Sequence, residues 1–198
     1  MKKILIINGG QRFAHSEGRF NHTLTEWTTD YFKNRKGYEV RITNISEGFI
    51  PEEEVDKFIW AHIIIYHTPI WWFGLPHDFK RYFDVVLTAG HKNGIYLSDG
   101  RRSANPTRNY GTGGSLQGRK YMLTTTWNAP KEAFNIENEF FNKHSVDEGV
   151  MFGFHRMNEF IGMSKLESFH FYDVMKNPNI DEWKKEYTAH LAKIDEPI

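Results

Sequence analysis

Two short runs constrain this chain more than anything else in it. Residues 3–8 (KILIIN) and 61–67 (AHIIIYH) are apolar in continuous stretches, not on alternate positions. A strand that is apolar on both sides must be covered on both faces, which is the situation of a parallel sheet sandwiched between helices. Residues 38–42 (YEVRI), 120–126 (KYMLTTT) and 166–172 read as three further strands. Helical spacing separates them. Phe20, Leu24, Trp27, Tyr31 and Phe32 recur at turns of a helix that runs to about Asn34. Pro51 opens a short acidic helix with Val55, Phe58 and Ile59 facing inward, and further helices are predicted over 76–88 and 180–194, with short helical pieces over 131–161. Five strands alternating with helices predict a doubly wound α/β fold with one five-stranded parallel sheet, in a single domain over 1–198. Residues 90–118 fit no element: they hold seven glycines and Pro106, and a connection that long is usually functional or disordered.

Composition narrows the function. Lys+Arg and Asp+Glu each number 25, so the chain lacks the basic excess of a nucleic-acid binder. No cysteine is present, which removes disulfides, thiolate catalysis and cysteine metal sites, and accords with a reducing cytoplasm. The apolar run near the start is too short for a signal peptide, and no segment approaches a membrane span. The ten histidines show no metal-ligand spacing, so no metal site is expected.

A doubly wound fold binds ligands at the carboxyl ends of its strands. Three loops lie there: NGGQRFAHSEGRFN after strand one, TPIWWFGLP after strand three and TTWNAPKE after strand four. The first enters a helix whose opening holds His15, Ser16, Gly18, Asn21 and Thr23. Free N–H groups and neutral donors at a helix start suit a phosphate or pyrophosphate, although Ser16 also reads as an ordinary cap. GxGxxG, P-loop and GxSxG signatures are absent. The second loop sets Trp71, Trp72 and Phe73 side by side after Pro69, where rings can border a planar heterocycle such as an isoalloxazine, cover the sheet end or meet a partner. Gly74 gives the backbone room there. The third offers backbone N–H groups and an indole from Thr126 to Ala129.

Several motifs in order resemble the flavodoxin-like NAD(P)H:quinone oxidoreductases. They are ILIING, FAHS-x-G and LTE near the start, then WW-x-G-x-P, SDGR, YG-x-GG-x-x-QG-x-KYML, TWNAP-x-EAF and KEYTAHL. The resemblance implies a flavodoxin-like fold, bound FAD, a homodimer and two-electron reduction of quinones by NADPH. Carried over by position, His15, Ser16, Gly18, Phe20, Asn21 and Thr23 would hold the FAD phosphates and ribityl chain. Pro69, Ile70, Trp71 and Trp72, together with Thr126, Trp127, Asn128 and Ala129, would border the isoalloxazine, and Tyr110 would also touch it. Tyr110, His155 or water would supply the proton that completes the hydroquinone. Ile70 and Phe73 stand where the family pattern has Gly and Met, and HKNGIY differs slightly in length; these departures fall on the substrate pocket. An FMN-dependent azo- or nitroreductase, a flavodoxin-type single-electron carrier and a non-enzymatic interaction protein share the fold and remain as alternatives.

Overall fold

A computed structural model of the chain describes residues 1–14 and 16–195. The strands are β1 (Lys2–Asn8), β2 (Tyr38–Asn44), β3 (Ile63–Pro69), β4 (Lys120–Thr126), β5 (Ser164–Lys165) and β6 (Phe169–Phe171). The α-helices are α1 (Arg19–Lys33), α2 (Pro51–Trp60), α3 (His77–Ala89), α4 (Glu132–Asn135), α5 (Phe152–Phe160) and α6 (Ile180–Asp195). All paired strands are parallel, in the order β2-β1-β3-β4, with β5 and β6 both on the far side of β4. The sheet therefore has five strand positions, and the strand order reverses between β1 and β3.

The expected fifth strand over 166–172 is interrupted. Lys120 and Tyr121 pair with Ser164 and Lys165, and Thr124 to Thr126 pair with Phe169 to Phe171. Residues 166–168 leave the ladder between the two pieces, although Leu166 still donates its N–H to the Tyr121 carbonyl at 2.7 Å. A short, broken edge resists pairing with another chain's edge.

The apolar runs become the core. Ile4, Ile6, Ile63, Ile65 and Met122 face Leu24 and Phe32 of α1 and Tyr187 and Leu191 of α6. Leu5, Ile7, Ile64, Tyr66 and Leu123 face Val55 and Phe58 of α2 and Phe79, Tyr82, Phe83 and Val86 of α3. Ile59 packs on this side while partly exposed. At roughly 1.5–3 kcal/mol per fully buried large apolar side chain, these two layers supply the main drive to fold.

β3 runs two residues past its predicted end, and Pro69 is its last member. His67 accepts the Gly9 N–H on the β1 side at 2.7 Å, and Ile70 donates to Thr126 on the β4 side at 3.1 Å. Pro69 shares the parity of His67, so its missing donor falls where β1, which ends opposite His67, has already stopped. The 90–118 segment is an ordered excursion. Leu97 donates to the Gly113 carbonyl and Ser115 to that of Ile95, while Leu116 donates to Ile161 just beyond α5. Among the described residues no helix is long and apolar enough to cross a membrane.

Candidate functional site

α1 begins without a side-chain cap. Its N-cap is Gly18 in the left-handed region, at φ 70°. Ser16 is not the cap; its Oγ accepts the Gly18 N–H at 3.4 Å, and its backbone pairs with Phe13. A Cβ on Gly18 would lie 2.8 Å from the Gln11 nitrogen and 3.0 Å from the Gly10 carbonyl carbon. The absence of a side chain thus lets the loop close tightly on the helix start. The first intrahelical bond runs from His22 N–H to the Gly18 carbonyl. The N–H groups of Arg19, Phe20 and Asn21 precede it, and among the described residues none of them bonds a carbonyl one turn back.

These groups border an open pocket of about 560 Å³ at the carboxyl ends of β1, β3 and β4. One wall is Ser16 to Asn21, a second is Pro69, Ile70 and Trp71, and a third is Thr126 and Asn128. The fourth is Val174 and Met175. Asn21 is buried and links two walls, its amide donating to Thr126 Oγ1 at 3.4 Å, while Asn21 Oδ1 has no partner among the described residues. A buried acceptor without a donor, on a residue that lines a pocket, leaves room for a ligand that donates. Gln11 Oε1, in the loop below, is likewise unpartnered.

Val174 and Met175 went unnoticed in the sequence, although the rule that nominates the ends of β1, β3 and β4 extends to the edge strand. Asp173 donates to the Ala129 carbonyl and Val174 to that of Trp127, each at 3.0 Å, so the segment after β6 is clamped onto the segment after β4.

The remaining sequence candidates divide. Phe20 turns its ring inward, against Trp27, Phe171 and Trp183. Thr23 sits half-buried on α1 outside the pocket lining. Trp127 is 4% exposed and packs edge-on against Phe134, with its Nε1–H donated to Thr125 Oγ1 at 2.7 Å; its indole belongs to the core, not the pocket. Ala129 packs on that core. His15 lies outside the described residues.

Adjacent Trp71 and Trp72 part company. Trp71 lines the pocket and rests on Phe13, ring centroids 5.0 Å apart. It exchanges two backbone bonds with Gly74, of 3.0 and 3.1 Å, closing a two-residue turn with Trp72 and Phe73 at φ 47° and 59°. The turn aims Trp72 outward, 93% exposed, and leaves Phe73 stacked on Phe140. A Cβ on Gly74 would meet nothing within 4 Å, so the protein itself does not require a glycine there.

Tyr110 is 71% exposed, its ring beside Phe160 and under the Arg101 guanidinium. His155, a candidate on α5, is buried away from the pocket. Its Nδ1 bonds the Tyr121 hydroxyl and its Nε2 the Asp147 carboxylate, each at 2.9 Å. Burial works against ionisation of Asp147, but hydrogen bonds from His155, His170 and Lys165 hold its carboxyl well below the usual carboxylate range. Burial and then the Asp147 charge push the Tyr172 hydroxyl up to about 12. Both ring nitrogens of His155 are committed, so it has no free proton to offer the pocket.

Fold and pocket together define a doubly wound α/β protein with a ligand site at its topological switch point. The model of a family with the flavodoxin-like fold matches residues 2–194, and the chain belongs to that family. Within it the sequence closely resembles the protein called modulator of drug activity B. Over 191 residues the chain is 45% identical to the NADPH:quinone oxidoreductase MdaB of Haemophilus influenzae, covering 96% of this chain and 98% of that protein. Among solved structures, one described as a candidate quinone reductase of Klebsiella pneumoniae superposes with a TM-score of 0.71 at 21% identity, over 98% of this chain and 83% of that one. The FMN-dependent NADH-azoreductase of Bacillus anthracis, solved with FMN, gives 0.67 at 12% identity, over 99% of this chain and 100% of that one. At these identities both structures speak for the shared fold.

Proposed function

We propose that this oxidoreductase is an FAD-dependent NADPH:quinone oxidoreductase working in the cytoplasm as a homodimer. The observation that carries the reading is the meeting, in one pocket, of an uncapped helix start, an apolar wall and an unpartnered acceptor. A flavin nucleotide asks for that combination: a flat ring at one end, hydroxyls along the chain and phosphate at the other. The 45% identity to an NADPH:quinone oxidoreductase supplies the substrate pair.

When bound, the flavin supplies hydride chemistry between NADPH and the quinone. The chain's own part is to bind, orient and exclude water. The N–H groups of Arg19 to Asn21 and the Ser16 hydroxyl would hold phosphate oxygens, helped by the positive end of the α1 dipole. Asn21 Oδ1 would accept from a ribityl hydroxyl, since phosphate at neutral pH offers no donor. Ile70 and Trp71 would wall the ring, and the backbone from Thr126 to Asn128 would meet its polar edge. With His155 committed to Asp147, the exposed Tyr110 hydroxyl is left as the proton donor from protein, presented by the second subunit.

Heat release of the bound flavin, followed by separation of FAD from FMN, tests the cofactor. The reading expects FAD, and NADPH oxidation coupled to quinone in a 1:1 ratio. Release of FMN with preferred turnover of azo compounds would move the protein to the azoreductase alternative, and an apo-protein that takes up no flavin would overturn the reading.

A further inference from the structure

A buried polar network reaches the pocket wall and has no part in the reading above. It runs from the middle of β4 to its end. Tyr121 hydroxyl and His155 Nδ1 are 2.9 Å apart, and His155 Nε2 and Asp147 Oδ1 2.9 Å. Asp147 Oδ1 also lies 3.3 Å from His170 Nε2, and His170 Nδ1 is 2.7 Å from Thr125 Oγ1. Thr125 Oγ1 in turn receives the Trp127 indole N–H at 2.7 Å. Lys165 closes the other carboxylate oxygen at 2.5 Å.

With both histidines neutral, donor and acceptor chemistry assigns a direction to each contact. An indole N–H only donates, so Thr125 accepts from it and turns its own proton to His170 Nδ1. His170 then carries its proton on Nε2, facing a carboxylate that only accepts. By the same logic Tyr121 donates to His155 Nδ1, and His155 Nε2–H points at Asp147. All donors converge on one carboxylate. Among the described residues no group of three or more metal-binding side chains is placed to hold an ion, and the Lys165 ammonium already serves Asp147.

We infer that Asp147 is a positioning residue for the pocket, acting through His170 and Thr125 to fix Trp127 and with it the Thr126–Asn128 wall. Trp127 cannot turn in place: its indole is pinned by Thr125, its backbone N–H donates to Phe171 at 2.8 Å, and its carbonyl accepts from Val174. Thr126 and Asn128, its neighbours on either side, both line the pocket. Asp147 also bonds Lys165 of β5 at 2.5 Å and lies 3.3 Å from His170 of β6, so one carboxylate contacts both pieces of the broken edge strand. This inference rests on the pocket being a flavin-nucleotide site.

The test compares Asp147→Asn, Thr125→Val, Thr125→Ser and Lys165→Met. Two readouts serve: the flavin dissociation constant by fluorescence titration, and the ¹⁵N–¹H indole signal of Trp127 in apo-protein, assigned through Trp127→Phe. Asp147→Asn and Thr125→Val are expected to weaken flavin binding about tenfold and to move the Trp127 signal with no flavin present. Thr125→Ser, which keeps the hydroxyl, is expected to stay within twofold of wild type. Lys165→Met removes a partner that is off the path, and should lower the melting temperature while leaving the flavin constant and the indole signal alone. Wild-type affinity and an unmoved indole signal in folded Thr125→Val would overturn the inference, and this variant decides the matter if Asp147→Asn does not fold. Equal loss of flavin affinity in Lys165→Met would overturn it as well, by making the network a matter of stability alone. A wild-type protein that binds no flavin fails the reading of the pocket, while the Trp127 signal still reports on the network.

Discussion

The Asn21 side-chain amide donates to Thr126 Oγ1 at 3.4 Å, joining the first turn of α1 to the last residue of β4 across 105 positions of sequence. That bond ties together the donor-rich and backbone walls of the pocket and leaves Asn21 Oδ1 buried without a partner among the described residues. Asn21→Ala removes both the bond and the acceptor. A hydrogen bond of this kind contributes roughly 0.5–1.5 kcal/mol, so flavin binding is expected to weaken up to about tenfold with the fold kept. The Ser16→Ala/Asn21→Ala double variant should lose tenfold or more. Fluorescence titration beside circular dichroism checks this; a folded double variant with wild-type affinity would return the helix start to a purely structural role.

Gly18 and Gly74 make a paired test. Gly18→Ala forces an L side chain into the left-handed region at a cost of about 1–2 kcal/mol, and its Cβ meets backbone atoms that cannot yield. The expected outcome is a melting temperature several degrees lower and loss of flavin binding as α1's start is displaced. At Gly74 the added methyl meets open space in the protein, and stability should move by no more than about 0.5 kcal/mol. Weaker flavin or quinone binding by stable Gly74→Ala would show that the space beside it serves the ligand.

Acid should unfold this protein in a defined window. His67 on β3 is fully buried, and burial lowers its pKa from 6.5 to about 3. The unfolded chain takes up that proton below about pH 6.5 and the folded chain does not until about pH 3, so stability falls as pH drops between those values. The loss from this group alone reaches on the order of 4–5 kcal/mol at the bottom of the window. Asp147 adds to it at lower pH, because its depressed carboxyl must be protonated as well. Denaturant midpoints from pH 7 to 4 should therefore decline steeply in wild type and less steeply in His67→Leu. The partner of His67, Thr28 Oγ1, still bonds the Leu24 carbonyl and Tyr187 in that variant. Parallel declines would assign the acid sensitivity to other groups.

How much of this was legible in the sequence depends on how local the deciding physics is. Ile4 to Ile7 and Ile63 to Tyr66 announce strands buried on both faces because four consecutive apolar residues have no other comfortable place. From that sheet the pocket corners follow, as strand ends need no knowledge of side-chain contacts. The break in the edge strand did not follow, because Leu166 to Phe171 carries a good strand composition and the interruption is set by pairing with β4. The surroundings of His155 were hidden for a similar reason: its partners come from β4 and from an irregular segment before α5. Trp71 and Trp72 look alike in sequence, and only the positive φ of Trp72 sends one ring to the pocket and the other to solvent.

Exposed rings bear on assembly. Tyr110, Phe140 and Phe152 are each more than half exposed, as are Trp72 and Leu97. Large apolar groups left bare in such number mark surfaces that meet other surfaces. Light scattering at micromolar concentration is expected to give twice the mass of one chain. A monomer with full quinone reductase activity would remove the second subunit, and the partner-borne Tyr110, from the proposed site.

Trp72 offers the sharpest contrast between what a residue costs and what it does. A two-residue turn with positive φ at both positions favours Asn-Gly, yet Trp72 and Phe73 occupy it. A bulky residue in that region costs roughly 1–2 kcal/mol, and a ring 93% exposed recovers none of it within the chain. Trp72→Gly should therefore stabilise the monomer by up to about 1 kcal/mol, once the glycine's greater chain entropy is set against the relieved strain. Strain of this kind persists where it serves a site, and the ring sits one residue from the pocket wall. The same variant should then dimerise less readily, or bind flavin or quinone severalfold more weakly, while Trp71→Ala weakens flavin binding directly by removing the wall. Denaturant midpoint at concentrations that yield monomer, dimer mass and flavin affinity, all measured on Trp72→Gly, separate the outcomes. Higher stability with unchanged mass and affinity would leave the ring without a function in either event, and lower stability would mean that Trp72 makes contacts within its own chain after all.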